Sequence, residues 1–207
     1  MTAEAGPFEQ ARLLYEQAVF SGDNAALASA DRILDAVEAD LALARARLVH
    51  ARFLAERQKD PVELTLAERA AALYRQLGDA RGEAEALFWA GTYHQVVCDD
   101  SDAALPQLRR ARDLAATAGD QLTLSYAVRH LAFADMAAGR LDSARQQLEE
   151  SVRLRREIGF LPGVAAGLLT LAQLAAQGGD ADRARALFGR GRLDCRRNWR
   201  ARRPAGD

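Results

Sequence analysis

Ala104, Ala144 and Ala184 stand 40 residues apart, and the residues around them return on the same beat. Leu131-Ala132 and Leu171-Ala172 are also 40 apart, while Gly78-Asp79, Gly119-Asp120 and Gly159-Phe160 fall at intervals of 41 and then 40. A period of that length marks a chain of stacked supersecondary units, none of which buries its apolar face without its neighbours. In such a chain, function is expected on a surface built from several units.

Each period divides into two helices. Apolar residues three and four apart make one continuous stripe over 84–97, 125–138 and 165–177, and a second over 102–118, 141–158 and 180–192. Turn signals separate the halves at Asp99-Asp100-Ser101, Gly139-Arg140 and Gly178-Gly179-Asp180. Gly119 and Gly159 sit where a helix C-terminus favours a left-handed residue. Upstream, Pro7 opens a helix that Gly22-Asp23 ends, further helices cover 24–39 and 41–58, and Asp60-Pro61 starts one that closes on Gly78. Loops this short force antiparallel neighbours. The expected fold is therefore all-α: a right-handed α-solenoid of about five antiparallel helix pairs, at 7–39, 41–77, 80–118, 121–158 and 162–192. A basic, disordered tail is expected at 193–207.

Composition is consistent with this reading. Of 207 residues 49% are hydrophobic, chiefly Ala and Leu, which are strong helix formers, and only 5 are Pro. No apolar run is long enough to span a membrane, and Met1 to Pro7 lacks a basic stretch followed by an apolar one, so a cytoplasmic location is expected. Cys98 and Cys195 lie 97 residues apart, too scattered for a disulfide framework, and are read as free thiols. Lys59 is the only lysine against 27 arginines, a bias that fits a GC-rich bacterial genome.

The segment running from Leu131-Ala132 through Gly139, Leu141 and Ala144 to Leu148 and Leu154 resembles a tetratricopeptide repeat, as does Leu171-Ala172 through Gly179 and Ala184 to Phe188. Small residues (Gly91, Ala132, Ala172; Ala104, Ala144, Ala184) permit close helix approach, and large ones (Leu87, Val128, Leu168; Leu108, Leu148, Phe188) fill the space around them. The period of 40 exceeds the ordinary one of about 34, so each helix is about one turn longer. The usual tryptophan, tyrosine and terminal proline are missing. The resemblance implies a superhelix that binds peptides or partner proteins in a concave groove lined by the first helices.

Projected onto that groove, the third pair contributes Glu85, Phe88, Trp89, Thr92 and Gln95, and the fourth contributes Tyr126, Arg129, His130, Phe133 and Met136. The fifth supplies Leu169, Thr170 and Gln173. Aromatics, Met and Arg are the residue types that dominate binding hot spots. The alternative for Phe88, Phe133 and Met136 is packing between repeats, whereas Tyr126, Arg129 and His130 are expected to be exposed.

His94 and Cys98 share a helix face and precede Asp99-Asp100, but no second ligand cluster accompanies them, so a metal site is not expected. His94 instead is expected to fill an interhelical slot, and Asp135, its counterpart one repeat later, to hydrogen-bond with it. No phosphate-binding glycine loop, nucleophile elbow or paired metal-ligand motif occurs, which leaves no enzymatic role and no cofactor to expect. Residues 190–207 carry seven arginines against Asp194 and Asp207, a net of +5, with Trp199 among them. That asymmetry is a mark of an interaction tail for nucleic acid or an acidic surface. The equal alternative is a frayed, solvated terminus or one docked on the acidic body of its own chain, and nucleic acid is not the expected partner. The leading expectation is a non-catalytic scaffold or adaptor for a peptide or protein. Its alternatives are a regulatory module of a bacterial transcriptional control system and a nucleic-acid-associated protein using the tail. Self-association through the C-terminal repeat is a further expectation.

Overall fold

A computed structural model describes the backbone of residues 5–201 and the side chains of residues 5–192. Among them the regular structure is helical throughout: α1 (Pro7–Ser21), α2 (Asn24–Glu56), α3 (Val62–Leu77), α4 (Ala80–Thr92), α5 (Ser101–Thr117), α6 (Gln121–Ala137), α7 (Leu141–Glu157), α8 (Leu161–Gln177) and α9 (Ala181–Ala201). A π-helical turn, Tyr93–Val97, continues α4. Each helix packs on its neighbours along the chain, with the α2/α3, α4/α5, α6/α7 and α8/α9 hairpins making the most extensive associations. No described helix is long and apolar enough to cross a membrane.

Helix boundaries repeat with their chemistry. Asp79, Asp100, Asp120 and Asp180 each accept backbone N–H groups at a helix start, relieving donors that the helix itself leaves unpaired. Gly78, Gly119, Gly139, Gly159 and Gly179 all have φ between 67° and 81°. At each, the next N–H bonds the carbonyl five residues back, the paired pattern that closes a helix on a left-handed residue.

Two expectations need correction. No boundary falls near Asp40: α2 is a single 33-residue helix that packs with both α1 and α3, and Arg32, Glu38 and Asp40 bond to α3 from its N-terminal half. Nothing from Asn24 to Glu56 is Gly or Pro, and Ala, Leu, Arg and Glu propagate a helix without interruption. The last helix, expected to end near Arg192, continues to Ala201, so residues 193–201 are helical and not a disordered tail. Arg-rich and apolar residues alternate there without Gly or Pro until Pro204. The side chains of Asp194, Cys195, Arg196, Arg197, Trp199 and Arg200, and all of Arg202, Arg203 and Asp207, lie outside the described residues.

The core follows the small-and-large rule. Ala104, Ala132, Ala144 and Ala172 are buried with Leu87, Leu108, Val128, Leu148 and Leu168. A Cβ on Gly91 would come within 2.8 Å of the Leu108 side chain, which shows how closely α4 and α5 approach. Phe188, the counterpart of Leu108 and Leu148, is instead 48% exposed, because no further described helix packs over α9.

One junction rule is visible only in three dimensions. Tyr74, Ala115 and Arg155 occupy the same place near the ends of α3, α5 and α7, and Gly82, Thr123 and Gly163 hold equivalent positions in α4, α6 and α8, with Gly82 facing Tyr74 and Gly163 facing Arg155. Where the first residue is large, the second is glycine. A Cβ on Gly82 would fall 2.4 Å from the Tyr74 ring, and one on Gly163 would fall 2.4 Å from the Phe160 ring and 2.8 Å from Cδ of Arg155.

Candidate functional site

A continuous row of rings crosses the repeat boundaries. Phe88 on α4 stacks on Tyr126 of α6, centroids 5.4 Å apart at 22°, and meets Trp89 and His130 edge-on at 5.3 and 5.2 Å. His130 continues to Phe133 at 5.3 Å, Trp89 to His50 of α2 at 5.3 Å, and Tyr126 to Phe160 at the start of α8 at 6.0 Å. Tyr126, His130 and Phe133 lie four and three apart, one stripe of α6, which is why a single helix supplies three members. Edge-to-face and offset contacts of this kind add to simple burial, so the row ties α2, α4, α6 and α8 together.

The residues expected in the groove divide between this row and its surroundings. Trp89, Tyr126, Arg129, Phe133 and Met136 are half-buried, as is Glu85, whose carboxylate pairs with Arg47 of α2. Gln173 is exposed. Phe88 at 4% and Thr92 at 3% exposure are core residues and offer nothing to a partner. His130, expected to be exposed, is buried at 9%.

The reason for His130 is a one-residue insertion. The left-handed residue follows the N-terminal cap by 20 positions in the third pair (Asp79 to Asp99) and by 19 in the fourth and fifth (Asp120 to Gly139, Phe160 to Gly179). The π turn at Tyr93–Val97 absorbs the extra residue, the ordinary structural outcome of an insertion within an α-helix. It also shifts the register. Gln95, not His94, becomes the counterpart of Asp135, and Gln95 reaches His130 across the junction. The expected His94–Asp135 bond does not form: Asp135 accepts from Arg140, Ser143 and Gln147, and His94 lies edge-on to Tyr93 at 5.8 Å. No group of three or more His, Cys, Asp or Glu among the described residues is placed to hold a metal ion.

Two arginines flank the row without a carboxylate partner among the described residues. The guanidinium of Arg129 lies 4.9 Å over the Phe133 ring and Nη2 donates to Thr170 Oγ1 at 3.4 Å, while its Nε is buried with no acceptor. Arg155 is only 1% exposed. Its Nε donates to Ser125 Oγ at 3.2 Å and Nη1 to the Gly163 carbonyl at 3.0 Å, and its Nη2 is buried with no acceptor. Its guanidinium stands 5.0 Å from the Tyr126 ring and 5.9 Å from that of Phe160.

Electrostatics follow from this enclosure. Burial lowers the pKa of Arg129, and burial together with the charge of Arg129 lowers that of Arg155 to about 10, so both remain cationic at neutral pH. Burial, reinforced by the two arginines and His50, pulls His130 down to about 3, leaving it neutral. Burial raises Tyr126, with Arg155 opposing. A cleft of about 550 Å³ opens beside this group, with Tyr126, Phe160, Arg81 and Asp120 in its wall.

Arg155 and Phe160 escape a sequence reading because one looks like a surface arginine and the other like a loop residue. The usable signal is position: Arg155 stands where the preceding repeats bury Tyr74 and Ala115, and Phe160 where they place the caps Asp79 and Asp120. A second buried pair, His50 Nδ1 to Glu63 Oε1 at 2.8 Å, was equally hidden, since Glu63 lies in the first turn of α3, ordinarily a solvated place for a carboxylate.

No protein-family model and no curated protein matches the sequence. Among solved structures the chain is similar to BtubC (BKLC) from P. vanneervenii, at 14% identity and a TM-score of 0.49, over 97% of this chain and 92% of that one.

Proposed function

We propose that this chain is a non-catalytic interaction module that recognises a peptide or a segment of a partner protein along α4 and α6. The observation that carries this reading is the half-buried wall of Trp89, Tyr126, Arg129 and Phe133, locked from behind by the buried Phe88 and His130. Large rings and guanidinium groups, held rigid by packing yet still reachable, lose little conformational freedom on binding, which is the energetic profile of a hot spot. Partner side chains would lie against the rings, with Arg129 fixing orientation.

The test replaces Arg129 and Phe133 together by Ala. The expected result is unchanged helicity and loss of the partner captured by wild type from the native cell, identified by mass spectrometry. Equal recovery by wild type and the double variant ends this reading.

The exposed Phe188, with Arg192 placed over its ring at 5.8 Å, supports a second role, self-association through α9. Light scattering over a concentration series on wild type and Phe188→Ser tests it: an equal, constant mass in both excludes it.

A further inference from the structure

Among the described buried side-chain atoms without a hydrogen-bond partner, the cationic ones belong to two arginines that share one neighbourhood. Arg129 and Arg155 sense each other's charge, both flank Tyr126, and each retains a buried guanidinium nitrogen with no acceptor. An enclosed cation is ordinarily paired with a carboxylate, because leaving water without compensation costs far more than ring contacts and neutral hydrogen bonds return. The enclosed acids of this chain follow the converse rule: Asp135 is paired with the exposed Arg140, and Glu83 with the exposed Arg75 and Arg110. The acids closest to the exception are already engaged. Glu85 is held by Arg47, and Asp120 accepts from the N–H groups of Leu122 and Thr123 and from the Thr123 hydroxyl while facing Arg81. His130 is neutral and supplies no negative charge.

We propose that Arg129, Arg155 and Tyr126 form a site for an oxyanion, a carboxylate or phosphate group, which supplies the negative charge that the fold itself omits. The Tyr126 hydroxyl and the open edge of Arg129 provide the donors, and Arg155, fixed by Ser125 and the Gly163 carbonyl, supplies charge from behind. The aromatic rings around the site exclude water from its back wall and lower the local dielectric, which strengthens the attraction. The proposal deepens the reading of the α4/α6 wall as a binding surface: the segment that fills it carries an acidic or phosphorylated group.

The test is isothermal titration and thermal melting of the whole chain at constant ionic strength, with chloride as reference. The probes are inorganic phosphate, glutarate, and a short glutamate-rich peptide beside its glutamine counterpart. Wild type is expected to bind at least one of the acidic probes and to melt higher in its presence. Arg129→Met is expected to bind it about tenfold more weakly or not at all. Arg155→Met is expected to melt higher than wild type without any probe, since an uncompensated charge has been removed, and to lose the response. A response to the free anions assigns the site to a small ligand, and a response confined to the glutamate peptide assigns it to a partner segment. Either outcome supports the proposal. It is overturned if no probe shifts wild type more than Arg129→Met, whether or not partner capture survives. Anion binding without any captured partner instead ends the peptide-recognition reading and leaves the anion site standing.

Discussion

Gln95 grips His130 with both ends of its amide: Oε1 meets the ring Nδ1 at 2.8 Å, and Nε2 donates to the His130 backbone carbonyl at 3.0 Å. Because the amide nitrogen is committed to the carbonyl, the oxygen faces the ring and Nδ1 carries the proton. Two bonds thus cross from the π turn to α6. They fix the tautomer of an imidazole that burial, reinforced by two arginines, already keeps neutral.

That neutrality has a pH signature. The unfolded chain takes up a proton at His130 near pH 6.5, whereas the folded chain resists until about pH 3. Between those values the unfolded state binds more protons, so stability falls as pH drops, by up to about 1.4 kcal/mol per pH unit from this group. Urea midpoints of wild type measured from pH 7 to pH 5 should decline more steeply than those of His130→Gln. Equal slopes would show that His130 titrates in the fold as it does in the unfolded chain.

Complementarity between Tyr74 and Gly82 predicts a coupled pair. Gly82→Ala places a methyl 2.4 Å from the Tyr74 ring and should cost about 1–3 kcal/mol through overpacking. Tyr74→Ala alone leaves a cavity and strands Asp40, which the tyrosine hydroxyl now meets at 2.6 Å. Joined with Gly82→Thr it recreates the Ala115 and Thr123 arrangement of the next junction, so the double variant should be more stable than the sum of the single losses. A double-mutant cycle by chemical denaturation measures this; strict additivity would refute the junction rule.

The period, the caps and the left-handed glycines were legible because each is a local rule repeated at constant spacing. Asp40 misled as a boundary because the repeat pattern suggests a pair break there, whereas helix termination needs a breaker that the segment from Asn24 to Glu56 lacks. His130 is buried against expectation because its partner sits beyond an insertion, and periodicity carries no mark of which residue a π turn moves. Arg155 is hidden from the sequence for a different reason. A lone guanidinium held by a serine and a carbonyl has no sequence pattern, and only alignment on Gly78, Gly119 and Gly159 places it in a buried slot.

Within the groove set, burial separates structural from accessible residues. Phe88 contacts three rings and is enclosed, so Phe88→Ala should destabilise by about 3–5 kcal/mol. Gln173 is exposed, and Gln173→Ala should stay within about 0.5 kcal/mol of wild type. Thermal melts of both variants check the division, and comparable losses would mean that α8 is packed far more tightly at that position than its exposure indicates.

Asp99 has φ 58°, where the equivalent positions of the next two pairs carry Gly139 and Gly179. A side chain in the left-handed region is strained by contact between Cβ and its own backbone, and aspartate is only partly excused by its short polar group. Helix capping on both sides is independent of this residue, since Asp100 supplies the N-cap of α5 and the backbone N–H of Asp100 closes the π turn on the His94 carbonyl. Removing Cβ therefore releases strain without deleting a cap. Against this stands the greater freedom of glycine in the unfolded chain, which returns part of the gain. Asp99→Gly should raise stability by about 0.5–1 kcal/mol, and Gly139→Ala, the reverse experiment one repeat later, should lower it by at least as much. Urea denaturation of the two variants decides the matter: a loss on Asp99→Gly would mean that the aspartate side chain stabilises the insertion by more than its backbone strain costs.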